Sequence, residues 1–177
     1  MIKIKRIQRI ALACEDLEGT VAKYKKLFGI VPFNYGIAKA EKYHWVAFEM
    51  GEGECTMELL CPWQDPKREG IIAKRIDKKG EGLYMMTLRT VSEDAAEVVK
   101  QIREAGVEPV WGSVGWENPL LNASGDRAAS WQEHYIAPKD TSGVLMTIAT
   151  IKRKIVDKFE TAPDDFRMEI GGGKKKK

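Results

Sequence analysis

The segment "IQRIALACEDLEGTVAKYKKLFGIVPF", residues 7–33, changes its hydrophobic period partway along. "IQRIALAC" reads as a strand. After it, Leu17, Val21, Tyr24, Leu27 and Phe28 recur at helical spacing, with Asp16 placed to cap the start and Gly29 to take a left-handed conformation at the end. The pattern returns without a gap 77 residues later in "VSEDAAEVVKQIREAGVEPV". There Ala95, Val99, Ile102 and Ala105 follow Ser92 as the expected cap, and Gly106 closes the helix. Both helices leave through a Gly-aliphatic-x-Pro exit, "GIVP" and "GVEP", which points to duplicated units.

The strand candidate before the second helix is "LYMMTLRT". Further strand runs are "YHWVAFEM" and "CTMELLCP" in the first half and "WQEHYIAP" and "GVLMTIAT" in the second. The chain is read as βαβββ twice, over 1–65 and 83–151, with three of the four strands of each half marked by these runs, and the fold class is α+β. A linker at 66–82 is marked by Pro66, by charges and by Gly80 and Gly82, with "GIIAKRIDK" as a possible short helix. Neither module can cover its own sheet, so the two should pair into one curved, cup-shaped mixed sheet around a shared pocket. Residues 152–177 form an extension in which "RKIVDKF" could make a helical turn and "FRMEI" an edge strand or a clasp on a second subunit.

Composition narrows the possible functions. The chain has 177 residues, 44% of them hydrophobic, and no apolar run approaches the roughly 18 residues of a membrane span. The opening "MIKIKRIQRI" lacks a continuous apolar signal core, so a soluble, cytoplasmic protein is expected. Cys14, Cys55 and Cys61 have no CxxC spacing and read as free thiols. The formal charge of +3 comes from the final "GGGKKKK", without whose four lysines 25 basic residues face 26 acidic ones. A nearly neutral body has no basic face for nucleic acid, and the lysine tail reads as a solvated end.

The paired βαβββ pattern, together with "ALACEDLEGTVAKYKKLFGI", "MELLCPW", "GEGLYMMTLRTV", "IREAGVEPV" and above all "APKDTSGVLMTIAT", resembles the vicinal oxygen chelate superfamily. That superfamily includes glyoxalase I, extradiol dioxygenases, bleomycin-resistance proteins and methylmalonyl-CoA epimerase. The resemblance covers about residues 5–150 and is greatest for the epimerase branch. It implies a divalent metal held by four side chains on four inward-facing strands, with a histidine opening each half, to stabilise the oxyanion formed when a carbon-bound proton is removed. In this chain the four positions fall on Arg9, Glu58, Met85 (or Met86 if the register slips) and Thr147.

Only Glu58 could coordinate such a metal well: arginine keeps its proton, and a thioether is too soft for a hard cation. The resemblance therefore comes without its metal ligands, and neither a metal nor another cofactor is expected. An inward Arg9 should pair with Glu58, because an unpaired buried charge is costly. That pair could simply fill the hole, or its guanidinium could bind a ligand carboxylate or carbonyl in place of the metal.

Further candidates are placed by pattern. Glu41 lies near the epimerases' catalytic glutamate, and with Glu58 makes the catalytic pair. His44, Tyr84, Trp116, Arg127 and His134 join Arg9 as candidate ligand-binding residues, with Trp45 and Trp131 as further aromatics. "GSVGWENPLLNASGDRAAS" reads as a long loop able to cover a site.

Three functions stay open. One is a metal-independent relative of the epimerases, an isomerase or lyase acting on an acyl-CoA or small acid by proton transfer. The second is a binding protein of the drug-resistance type for an aromatic ligand, and the third a subunit that has lost catalysis. A homodimer is expected in each case.

Overall fold

A computed structural model describes residues 1–51, 55–63, 66–117 and 119–153. The first half comprises β1 (Ile4–Ala13), α1 (Leu17–Phe28), β2 (Pro32–Ala38), β3 (Tyr43–Met50) and β4 (Cys55–Pro62). After α2 (Ile71–Lys79) the order repeats as β5 (Gly82–Thr90), α3 (Ala95–Glu104), β6 (Val110–Glu117), β7 (Ala128–Ile136) and β8 (Leu145–Arg153). Most of the C-terminal extension, including its helical-turn, edge-strand and lysine-tail expectations, lies outside the described residues.

The strands form one mixed, curled, eight-stranded sheet in the order β2-β3-β4-β1-β5-β8-β7-β6, giving the α+β half-barrel expected. β1 runs parallel to β4, and β5 runs parallel to β8. The halves meet where β1 and β5 pair antiparallel, with Arg9 directly opposite Thr87. This puts the opening strand of each repeat at the centre of the sheet.

The caps follow local chemistry. Asp16 accepts from the Gly19 N–H, and Gly29 ends α1 at φ 68°. At α3 the cap is Asp94, which accepts from the Ala96 and Glu97 N–H groups, and not Ser92, whose hydroxyl instead accepts from the Asp94 N–H. The α3 exit is a Schellman turn: Gly106 N–H bonds to the Arg103 carbonyl and Val107 N–H to that of Ile102.

The two faces of the sheet are covered differently. On the outer face, Val46, Phe48, Met57 and Leu59 meet Leu17, Val21 and Tyr24 of α1, while Ile148 and Leu88 meet Val98 and Ile102 of α3. On the inner face the linker helix α2 buries Ile72, Ala73 and Ile76. Ile72 and Ile76 share a cluster with Ala11, Ala13, Leu60, Met85 and Leu145. The linker thus fills one end of the cup.

The loop read over 112–130 is only partly a loop. β6 takes its first residues and β7 its last. β6 is an edge strand, exposed along nearly its whole length, and a register break spans Trp111 (φ 60°) and Gly112 (φ 68°). A strand without a buried face has no reason to alternate, which is why its pattern reads as loop. Residues 119–127 then cross toward the other half, where the Ala123 N–H bonds to Glu49 Oε2 of β3 at 2.8 Å.

Candidate active site

The alternation of each strand decides what meets on the inner face. β1 sends in Arg9 with Ala11 and Ala13. β4 sends in Glu58 with Leu60, β5 Thr87 with Met85, and β8 Thr147 with Leu145. β7 contributes Trp131, Glu133 and Tyr135, and β3 contributes Tyr43 and Trp45.

Arg9 is the hub. Its Nη1 donates to Glu58 Oε1 at 3.3 Å and its Nη2 to Glu133 Oε1 at 2.5 Å, while Cζ lies 5.5 Å from the Trp131 ring centre. β1 and β7 are three strands apart, about 14 Å on a flat sheet; the curl is what lets these side chains meet. Glu133 is fully buried and also accepts from Trp131 Nε1 at 3.0 Å and Thr87 Oγ1 at 3.4 Å. Thr147 Oγ1 in turn donates to Thr87 Oγ1 at 2.8 Å. Glu133 Oε2 and Arg9 Nε are buried without a partner.

One guanidinium thus faces two carboxylates. Burial works against the Arg9 charge, but Glu133 and Glu58 outweigh it and raise its pKa. Burial also lifts the Glu58 pKa above the usual carboxylate range, Arg9 opposes that rise, and Glu133 adds to it. The side chains of Arg9 and Glu58 keep 13% and 15% exposure, so solvent still reaches this corner of the cluster. Tyr43 and Tyr135 flank it. Burial and the Glu58 charge push Tyr43 up to about 12, and burial and Glu133 raise Tyr135, so both phenols keep their protons at neutral pH and can donate.

The expected Arg9–Glu58 pair is present, and the β5 position belongs to Thr87 instead of Met85 or Met86. Asp16 and Asp94 stand one residue further apart than the gapless repeat alignment has it, and Arg9 and Thr87 share that same longer separation, so the repeat carries position 9 to 87 and not to 85 or 86. Met85 faces inward but packs in the α2 cluster. Trp116 pairs with Trp131 across β6 and β7, ring centres 6.4 Å apart and edge-on, which places it on the inner side. Tyr84 packs against the α2 cluster. Glu41 lies exposed in the β2–β3 turn, where its carbonyl accepts from the Ile71 N–H at the start of α2. Arg127 bridges to Leu120 at the foot of the 119–127 loop.

The two histidines do not join the site. His44 alternates with the inward Tyr43 and Trp45 and sits edge-on to Trp63 at 6.1 Å. His134 alternates with Glu133 and Tyr135 and is buried on the outer side, with Nδ1 2.8 Å from Ser113 Oγ. Burial lowers both pKa values. A cleft of about 500 Å³ lies on that same outer face, between α3 and the β6–β7 hairpin, and holds none of the Arg9 cluster.

Glu133 was missed in the sequence, although one signal pointed to it: in "WQEHYIAP" it shares parity with Trp131 and Tyr135, so a strand burying those aromatics buries the carboxylate too.

The inner face does not suit the divalent metal that the resemblance implies. A guanidinium, which has no lone pair to give, occupies its centre. Among the described residues no three His, Cys, Asp or Glu side chains converge to hold an ion.

The curled sheet of paired repeats defines a glyoxalase-type fold. The chain belongs to the glyoxalase/bleomycin resistance protein/dioxygenase superfamily, whose family model matches residues 8–119. Among solved structures it is similar to methylmalonyl-CoA epimerases. That of Mycobacterium tuberculosis has a TM-score of 0.66 at 19% identity, over 87% of this chain and 91% of that one. A Streptomyces coelicolor enzyme variant in complex with 2-nitronate-propionyl-CoA has a TM-score of 0.61 at 22% identity, over 83% and 97%. An epimerase in complex with methylmalonyl-CoA likewise has a TM-score of 0.61 at 22% identity, over 85% and 99%. At these identities the likeness is one of fold. No curated protein matches the chain. No helix among the described residues is long and apolar enough to cross a membrane.

Proposed function

We propose that the protein binds a small acyl-CoA or carboxylic acid on the inner face beside Arg9, and that Glu58 moves a proton there without a metal. The observation carrying this reading is the state of Glu58: its pKa is raised, its side chain remains in reach of solvent, and it touches a fixed cation. A carboxylate whose proton affinity is raised holds an abstracted proton better, which is what general base work requires.

In the proposed step Glu58 takes the proton from the carbon next to the thioester or acid carbonyl. The electron pair of that C–H bond forms the carbon–carbon double bond of an enolate while the carbonyl π pair moves onto the oxygen, and return of the proton from Glu58 to the carbon reverses the shift. The hydroxyl of Tyr43 donates to this oxygen, and the positive charge of Arg9 stabilises it, the part a metal plays elsewhere in the superfamily. The acyl-CoA class is suggested by the epimerase structures in complex with such ligands. The reading includes a cytoplasmic homodimer acting on a small molecule and not on nucleic acid; exposed Leu27, Phe28 and Trp111 offer apolar surface for a second copy.

Methylmalonyl-CoA in D2O, followed by proton NMR, tests the step. Loss of the α-proton signal with the wild-type protein but not with Glu58→Gln supports it. A second reading, a non-catalytic binder of an aromatic ligand, is favoured by the Trp116–Trp131 pair at the edge of the site. Tryptophan quenching by aromatic acids without any α-proton exchange selects that reading. If neither signal is seen, both readings are wrong.

A further inference from the structure

Four oxygen-bearing side chains, each from a different strand, form a linked cluster on Arg9: Glu58 from β4 and Glu133 from β7 bond the guanidinium, Thr87 from β5 bonds Glu133, and Thr147 from β8 bonds Thr87. Because all four stand on paired strands of one sheet, the arrangement is built into the backbone and does not depend on a loop. Two carboxylates and two hydroxyls make a hard, doubly negative donor set, the kind that suits magnesium, manganese or calcium and not soft metals. The guanidinium supplies only one of the two balancing charges. A second observation points the same way: Glu133 Oε2 is fully buried and has no partner, an acceptor that the guanidinium leaves unused.

We infer that the inner face is a cation cradle filled by the protein's own Arg9, and that this side chain keeps hard divalent metals out. Arg9 is a resident cation here: it neutralises part of the carboxylate pair and occupies the space an ion would need. Removing it should leave a working oxygen-donor metal site made of Glu58 and Glu133, with the two threonines beside it. The inference is independent of the ligand that the cup takes.

The test is a Mn2+ titration followed by electron paramagnetic resonance, with thermal melting as a second readout. Wild-type protein should leave the free Mn2+ signal unchanged and its melting temperature unmoved. Arg9→His, which removes the fixed charge and adds a nitrogen donor, should take up one equivalent and melt higher with the metal than without it. Glu133→Gln added to Arg9→His should weaken binding by at least about 10-fold, the scale of loss found even for groups that only support a metal ligand. Arg9→Gln removes the charge without adding an imidazole and should gain Mn2+ binding as well.

Folded Arg9→His and Arg9→Gln proteins that bind no more Mn2+ than the wild type overturn the inference. So does a wild-type protein that binds one equivalent and loses it on Glu58→Gln. Should the variants not fold alone, refolding from urea with and without Mn2+ decides: recovery only with the metal supports the cradle, and no recovery in either condition rejects it. The readout needs no acyl-CoA, so a failed proton-exchange experiment and a failed metal titration are separate results.

Discussion

Arg9→Met removes the charge at the centre of the cluster while keeping much of the side chain's length, and leaves Glu58 and Glu133 facing each other across an apolar side chain. In the native protein Arg9 holds Glu58 at 3.3 Å and Glu133 at 2.5 Å. At an effective dielectric of about 20, unit charges roughly 4 Å apart attract by about 4 kcal/mol, and that gain is largely offset by the cost of taking them out of water.

Removing one partner loses the attraction and keeps the cost, which in buried pairs amounts to about 3–5 kcal/mol. With two carboxylates depending on one guanidinium, the upper end is expected, about 5 kcal/mol at neutral pH. That is a large share of the roughly 5–15 kcal/mol available to a domain. The loss should also depend on pH in a definite direction. The folded Glu58 pKa is raised already with Arg9 present and rises further without it. A carboxyl of this kind destabilises the fold once the unfolded chain ionises. The penalty is therefore full above the folded pKa and fades as pH falls toward about 4.3, the ordinary glutamate value.

Urea unfolding followed by tryptophan fluorescence suits the question, since Trp131 stands over Arg9. The gap between the variant and the wild type should be widest near pH 7 and narrower near about pH 5. Adding Glu58→Gln to Arg9→Met should recover part of the loss at neutral pH. A penalty below about 1 kcal/mol, the range of exposed ion pairs, or one that stays the same across this pH range, would refute the picture of an interdependent buried triad.

Two further predictions test the surroundings of the cluster. The Tyr43 pKa rises from 10.0 to about 12, so stability is full below pH 10 and falls between there and about 12, by up to roughly 3 kcal/mol. Tyr43→Phe should lose less than the wild type in urea melts taken across that alkaline range, and an equal loss would show that Tyr43 does not titrate as described. Ile72→Ala removes a fully buried side chain from α2 and should cost about 2–5 kcal/mol, with faster amide hydrogen exchange over 71–79. A cost below about 1 kcal/mol would mean that α2 does not plug the cup.

Strands and helices that bury one face were legible in the sequence. "YHWVAFEM" and "CTMELLCP" coincide with β3 and β4 residue for residue, and Asp16 and Gly29 bound α1 where expected. β6 was not legible because an exposed edge strand has nothing to alternate against. The histidines misled for a related reason. On β3 and β7 a shift of one residue exchanges the two faces, and the large aromatics took the inner parity, leaving His44 and His134 outside. Arg9 and Glu58 were found through the family resemblance, whereas Glu133, 124 residues from Arg9, was not found at all.

By itself the chain determined its repeated units, their caps and the alternation that assigns each strand residue to a face, because these depend on near neighbours and on the unchanging geometry of the backbone. Only the tertiary structure decided which inward residues meet. That outcome depends on the antiparallel join of β1 to β5, its register breaks and the curl that brings β7 toward β1. Arg9 acquires its second carboxylate only when the sheet closes, for the energy of that contact comes from burying charges supplied by distant strands.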